Sequence, residues 1–139
     1  AQFKPLMDFY KEQYLAHGHD PEKMQVGIHS HTFVSDDESI CDGYFESYAA
    51  QVNRIGADRG WAGFSRYQYN AGRGRDGALF IGDPAAVTDK ILHMHELFGL
   101  TRFIGHMDVG APDHALMMRS IELFGTKVAP EVRKALKGV

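Results

Sequence analysis

Apolar residues recur along the chain with two different periods, and the changes between them mark out the elements. After Pro5, the residues Leu6, Phe9 or Tyr10, and Tyr14 fall at three- and four-residue spacings. That spacing predicts a helix with one apolar stripe, stopping at Gly18. Residues 25–34 switch to a β-forming run. Within VGIHSHTFV, Val26, Ile28 and Val34 share one parity and Gly27, His29, His31 and Phe33 the other, so the two histidines project from one face. Ser35 and Glu38 have capping-box spacing, and Ile40, Tyr44, Tyr48, Val52 and Ile55 give the following helix a continuous apolar face.

Residues 57–77, ADRGWAGFSRYQYNAGRGRDG, hold no steady period and are expected to form a long aromatic and glycine-rich loop. ALFIG at 78–82 predicts a short buried strand. Asp83-Pro84 then caps and opens a helix lined by Val87, Ile91, Met94 and Phe98 and closed by Gly99. RFIGHMDV at 102–109 predicts a third strand, with Phe103, Met107 and Val109 facing helices and His106 and Asp108 on the opposite side, above Arg102 and Ile104. A helix carrying Leu116, Ile121 and Leu123 stops near Gly125, and Pro130 starts a short final one.

The order α-β-α-β-α-β-α-α implies crossover connections and a parallel sheet. Two architectures satisfy it: a small three-layer α/β domain, or three consecutive βα units of a (β/α)₈ TIM barrel, a fold that needs about 250 residues. The opening, AQFKPLMDFYKEQYLAHG, is in helical rhythm almost at once and lacks an initiator methionine, which favours the barrel units. Residues 1–139 are then expected to be the C-terminal part of a single barrel domain, with the N-terminal units absent.

Composition narrows the function classes. With 44% hydrophobic and 24% charged residues the 139-residue chain is an ordinary globular sequence, neither disordered nor fibrous. A formal net charge of -3 provides no global attraction for nucleic acid or acidic lipid. The one cysteine, Cys41, excludes an intrachain disulfide framework and fits a reducing compartment. With no apolar run of membrane-spanning length and no signal-peptide pattern, a cytoplasmic protein is expected, without nucleic-acid or membrane partners.

Of three H-x-H pairs, only one has a common face. His93 and His95 lie far apart around a helix, and His17 and His19 straddle a helix stop. His29 and His31 lie on a strand, and with His106 and Asp108 from the third strand they form a set chemically sufficient for a hydrolytic zinc site. The other reading has His29 and His31 lining a pocket, or hydrogen-bonded in the core, without a metal. Ligand sites in parallel α/β folds collect at the carboxyl ends of strands, where all four are expected to fall. Gly72-Arg-Gly74-Arg-Asp-Gly77 matches G-x-G-x-x-G, but it follows a loop and opens a strand, the reverse of a dinucleotide fingerprint. It reads as a turn. Arginines interleaved with Trp61, Phe64, Tyr67 and Tyr69 could stack on single-stranded nucleic acid, but the acidic total argues against it. Cys41 reads as an ordinary buried cysteine.

Several runs, in order, resemble the C-terminal part of luciferase-like flavin-dependent monooxygenases: VGIHSHTFVSDD, ESYAAQVNRIGADRGW, GALFIGDPAAVTDKILHMHELFG, RFIGHMDVG and IELFGTKVAPEVRK. The resemblance covers nearly the whole chain. Its most specific piece is the strand-G-D-P-helix unit at 78–99 with the strand that follows. It implies a (β/α)₈ barrel binding reduced FMN, or F420 in one branch, which with dioxygen oxygenates a small organic substrate. It implies further that His29, His31, His106 and Asp108 wall the flavin or substrate pocket without a metal, while the residues that hold the flavin phosphate lie on strands this chain lacks. Such a portion is expected to be inactive alone, and to self-associate or pair with the missing N-terminal portion. The rival classes are a metal-dependent hydrolase built on the H-x-H strand and a non-catalytic module binding a partner through residues 57–77.

Overall fold

The computed structural model of the chain describes residues 3–137. Its centre is the strand β1 (Gly27–Val34), paired in parallel with β2 (Phe80–Gly82) on one edge and β3 (Arg102–His106) on the other. The two pairings are staggered. β2 meets only the last three residues of β1, from Thr32 opposite Phe80 to Val34 opposite Gly82. β3 meets the first five, from Gly27 opposite Arg102 to His31 opposite His106.

The fold is therefore α/β, with an open three-stranded parallel sheet flanked by helices. Its strand order, β2-β1-β3, differs from the order expected for three consecutive barrel units, in which each strand lies beside the next. β1 is the longest strand and offers two edges. Among the described residues no strand precedes β1, and β3 pairs on its other edge.

Helices pack on both faces of the sheet, as parallel strands favour, leaving the amino half of β1 open on one face. On one face Val26, just before β1, Val34 of β1 and Phe80 of β2 bury against α4 (Pro84–Phe98), through its Val87, Ile91, Met94 and Phe98. Leu123 of α5 (His114–Leu123) completes this layer. The Ser120 hydroxyl accepts a 2.7 Å hydrogen bond from the Val34 amide, tying α5 to the end of β1. On the other face Phe33 and Ile81 pack under α2 (Glu38–Ala57) and α3 (Arg66–Arg73), against Cys41, Tyr44, Tyr48 and Tyr69. The histidine parity is thus part-roofed by α2 rather than lining an open barrel interior, and Val109 packs with that same layer instead of facing the opposite helices.

Several local expectations change. Residues 57–77 are not all loop: Ser65 and Gln68 form a capping box that opens α3. Asp37, not Ser35, caps α2, its carboxylate accepting from the Ser39 amide at 2.8 Å. The first helix, α1 (Lys4–Ala16), turns Leu6, Phe9 and Tyr10 outward and packs through Met7 instead. Leu116 and Ile121 are likewise exposed on α5. Gly125 does not stop that helix, which runs through a π-helical turn (Phe124–Val128) into α6 (Ala129–Leu136).

The glycine-rich run has a structural role. The buried Lys90 of α4 donates to the carbonyls of Gly72 (2.9 Å), Gly74 (2.7 Å) and Leu79 (2.7 Å), which matches the three protons of an ammonium. Gly72 and Gly77 leave room for this, since a Cβ on Gly77 would lie 2.2 Å from the Gly72 carbonyl oxygen. Arg73 and Arg75 are held by Glu38 and Asp89. The run folds around a lysine, and its arginines are already paired within the protein. Lys90→Met removes these bonds, including the one to the buried Leu79 carbonyl, and is expected to cost about 2–4 kcal/mol of stability. Urea unfolding with no change in midpoint would refute that account.

Candidate functional site

The four polar residues of the strand pattern come together. His29 and His31 project from the same face of β1, and the parallel register sets His106, the last residue of β3, directly opposite His31. The His106 ring stacks on His29, with centroids 5.2 Å apart and planes 17° from parallel. It meets His31 edge-on at 5.5 Å. Asp108, just past the strand, brings Oδ1 to 2.6 Å from His106 Nε2. His106 is thus the centre of the cluster, with both β1 histidines on one side and a carboxylate on the other.

Their placement along the sheet differs from expectation. His106 and Asp108 do lie at a carboxyl strand end. His29 and His31 lie mid-strand, since β1 continues three residues past His31 to Val34. They sit beside the end of β3 because β3 is short and pairs low on β1.

Helix α2 fixes the upper side of the cluster. The Tyr48 hydroxyl lies 2.7 Å from His31 Nδ1, its ring edge-on to the imidazole at 5.5 Å. The Tyr44 hydroxyl donates to the Val109 carbonyl, and Gly110 donates its amide to Gln51. Gly110 has φ +81°, and a Cβ there would come within 2.8 Å of the Ser47–Tyr48 backbone. Only glycine lets the loop after β3 lie so close to α2, and this approach positions Asp108. Tyr48 was legible in the sequence only as one apolar position of α2. Its role here follows from α2 crossing the histidine face, which strand parity does not reveal.

Electrostatics separate the members. Burial, and then the nearby His106 and His29, push the His31 imidazole below its ordinary pKa. Burial pushes the Tyr48 phenol up to about 12, so it stays protonated. His31 and Tyr48 are therefore a neutral hydrogen-bonded pair at pH 7. The lower side of the cluster is uncovered: His29 is exposed, and its register partner Ile104 is 48% exposed beside it. The result is an open, partly apolar platform of His29, Ile104 and His106, with His31 and Tyr48 beside it. Among the described residues no group of three His, Cys, Asp or Glu side chains is arranged to hold a metal ion.

The other candidates stay separate. His17 and His19 are exposed, His93 pairs with Asp76, and His95 donates to the Leu100 carbonyl. Cys41 is fully buried, and burial pushes its thiol up to about 11, the opposite of an activated nucleophile. No described helix is long and apolar enough to cross a membrane.

The platform sits where the topology divides. The chain leaving β1 enters α2 on one face of the sheet, and the chain leaving β3 enters α5 on the other. Open parallel sheets bind ligands in the crevice at such a switch point. No protein-family model and no curated protein matches the chain.

The neutral state of His31 has a consequence for stability. Its folded pKa lies below the unfolded value of about 6.5, so the unfolded chain takes up more protons in that range. Stability is therefore expected to be complete above pH 6.5 and to fall as the pH drops below it. Urea midpoints at pH 7.5, 6 and 5 measure this, and His31→Gln, which keeps a partner for Tyr48, is expected to flatten the decline. An identical pH profile in the variant would show that His31 carries no part of it.

Proposed function

We propose that this chain is part of a luciferase-like flavin-dependent oxidoreductase, and that the His29–Ile104–His106 platform seats the flavin ring or the substrate stacked on it. The observation that carries the reading is the uncovered platform at the switch point, beside a neutral His31–Tyr48 pair. Planar π-systems stack on imidazole and aliphatic surfaces, and the platform offers both. The ordered resemblance along the sequence supplies the family. FMN, or F420 in the alternative branch, would bring the redox chemistry, oxygenating a small organic substrate with dioxygen in the FMN case. This chain's residues would hold the ring, exclude water from one side and keep His31 uncharged beside it. The arginines of the glycine-rich run are taken up by Glu38 and Asp89, so that run offers no free guanidinium for a flavin phosphate.

The platform exists only while β3 keeps its edge of β1, so this reading seats the ring on the open three-stranded sheet; a closed barrel would set β3 beside β2 and part Ile104 and His106 from His29. Pairing with an N-terminal portion, or with another copy, would also cover the outward Leu6 and Phe9 of α1, which are 63% and 58% exposed. Sedimentation is expected to show self-association that grows with concentration, and a dilute monomer that stays monomeric when concentrated would contradict this part.

The ring site is tested by titrating the chain with FMN and with riboflavin while following the histidine side-chain NMR signals. Both ligands are expected to shift His29 and His106 with equal affinity, because no phosphate contact is proposed. His106→Ala is expected to weaken both about three- to tenfold, as the loss of one stacking partner implies. Flavin that leaves these signals unmoved would sink the proposal. Displacement of flavin by stoichiometric zinc at the same histidines would favour the metal-hydrolase reading in its place.

A further inference from the structure

β3 is an edge strand: β1 pairs along one side of it, and among the described residues no strand lies on the other. In a parallel ladder a residue directs its N–H and C=O to the same neighbour, and the next residue directs both away. Arg102 donates its amide to the Val26 carbonyl at 3.2 Å, so the peptide groups of Arg102, Ile104 and His106 face β1. Those of Phe103 and Gly105 therefore point outward. Met107 continues the alternation, since the side chains flanking it, His106 and Asp108, still meet on one face at 2.6 Å.

This outward row is short because its ends are already engaged. Before it, Thr101 gives its amide to the Val26 carbonyl at 2.8 Å and Gly99 gives its amide to His95 at 2.7 Å. After it, the Tyr44 hydroxyl occupies the Val109 carbonyl. Phe103, Gly105 and Met107 remain, and no backbone group of the described residues bonds them on that side.

We propose that a second copy of this chain docks on this edge, β3 against β3 in antiparallel, about a two-fold axis at Gly105. Only this antiparallel register pairs the three free residues entirely with one another: Gly105 with Gly105, and Phe103 with Met107 at either end. The same register sets Arg102 opposite Asp108 of the second copy, twice over, and Ile104 opposite His106. Arg102 has no carboxylate partner among the described residues of its own chain, and the Arg102 and Asp108 side chains are both exposed. Opposite charges facing each other across strands stabilise a pair, and like charges weaken it. Sliding one strand by two residues would set Arg102 against His106 and would bring the engaged Thr101 against Met107. The observed edge is therefore complementary to itself in one register.

Pairing of this kind removes a free strand edge by extending the sheet across the axis. It also bears on the histidine face, which carries Arg102, Ile104, His106 and Asp108. Ile104 of the second copy comes to lie beside His106, so the two platforms join into one surface. The docking does not rest on the flavin reading.

The test is sedimentation equilibrium of the whole chain and of its charge variants. The unchanged chain is expected to form a dimer. Arg102→Asp and Asp108→Arg each set like charges opposite one another at both ends, and each is expected to raise the dimer Kd about tenfold or more. The two substitutions together restore opposite charges and are expected to recover most of the lost affinity. Cysteines read the register directly. Chains carrying Arg102→Cys are expected to form disulfides with chains carrying Asp108→Cys, but neither kind with itself, because like positions lie about 20 Å apart in this pairing. A monomer at every concentration, a dimer indifferent to both charge reversals, no recovery in the double variant, or disulfides between like chains would each overturn the proposal. A dimer lost on Leu6→Glu but unmoved by Arg102→Asp would place the contact on α1 and overturn it as well. Flavin shifts at His29 and His106 in a chain that stays monomeric would strike the docking alone and leave the ring site standing.

Discussion

The pairing of β1 with β3 is the constraint on which the rest of the structure depends. Five residues of each strand set the register that brings His106 opposite His31. Shifting that register by one would send every side chain of β3 to the other face of the sheet. The phenylalanine beneath the sheet would then meet the histidines, and His106 would enter the layer packed on α4. A buried face of Val26, Val34, Phe80 and Phe103 against α4 and its neighbours prevents this, because it accepts only the observed parity. The site is therefore held in place by the hydrophobic side of the same two strands.

This arrangement divides the work between the two halves of β1. Its carboxyl half, from Thr32 to Val34, is buried on both faces and paired with β2. Its amino half carries the histidines, is paired with β3 and is open on one side. Chemistry-bearing residues sit on the half where the roof ends, and Tyr48 marks the boundary. Above it, burial and aromatic packing dominate. Below it, imidazole and isoleucine meet solvent. A ligand at the platform would complete a layer that α2 begins.

Much of this was legible in the sequence, and the failures share a cause. Strand parity identified His29, His31, His106 and Asp108 as one face, because a period of two is local and depends on no other element. Gly99 and Asp83 marked the ends of α4 correctly, since capping is also local. What parity could not tell was which strand lies beside which. The order β2-β1-β3 arises from competition between edges, a property of the assembled sheet. The contribution of Tyr48 depended on where α2 crosses. Similarly, the outward turn of Leu6 and Phe9 reflects how α1 meets α4, since Met7, adjacent in sequence, supplies the contact instead. The hidden helix in residues 57–77 had a readable signal in Ser65 and Gln68, masked by the glycines and aromatics around it.

The π-helical turn at Phe124–Val128 makes chain length itself a structural variable. Because α5 continues through it into α6, the two helices share one backbone ladder, and the direction in which α6 points is counted off residue by residue. Each residue of a helix advances it by about 100°, so losing one here would swing Val132 and Leu136 away from the sheet and carry Arg133 round with them. A connecting loop would absorb such a change in spacing, but a helix transmits it. In this region the number of residues matters as much as their identity, and tolerance to insertion or deletion ends where α5 begins.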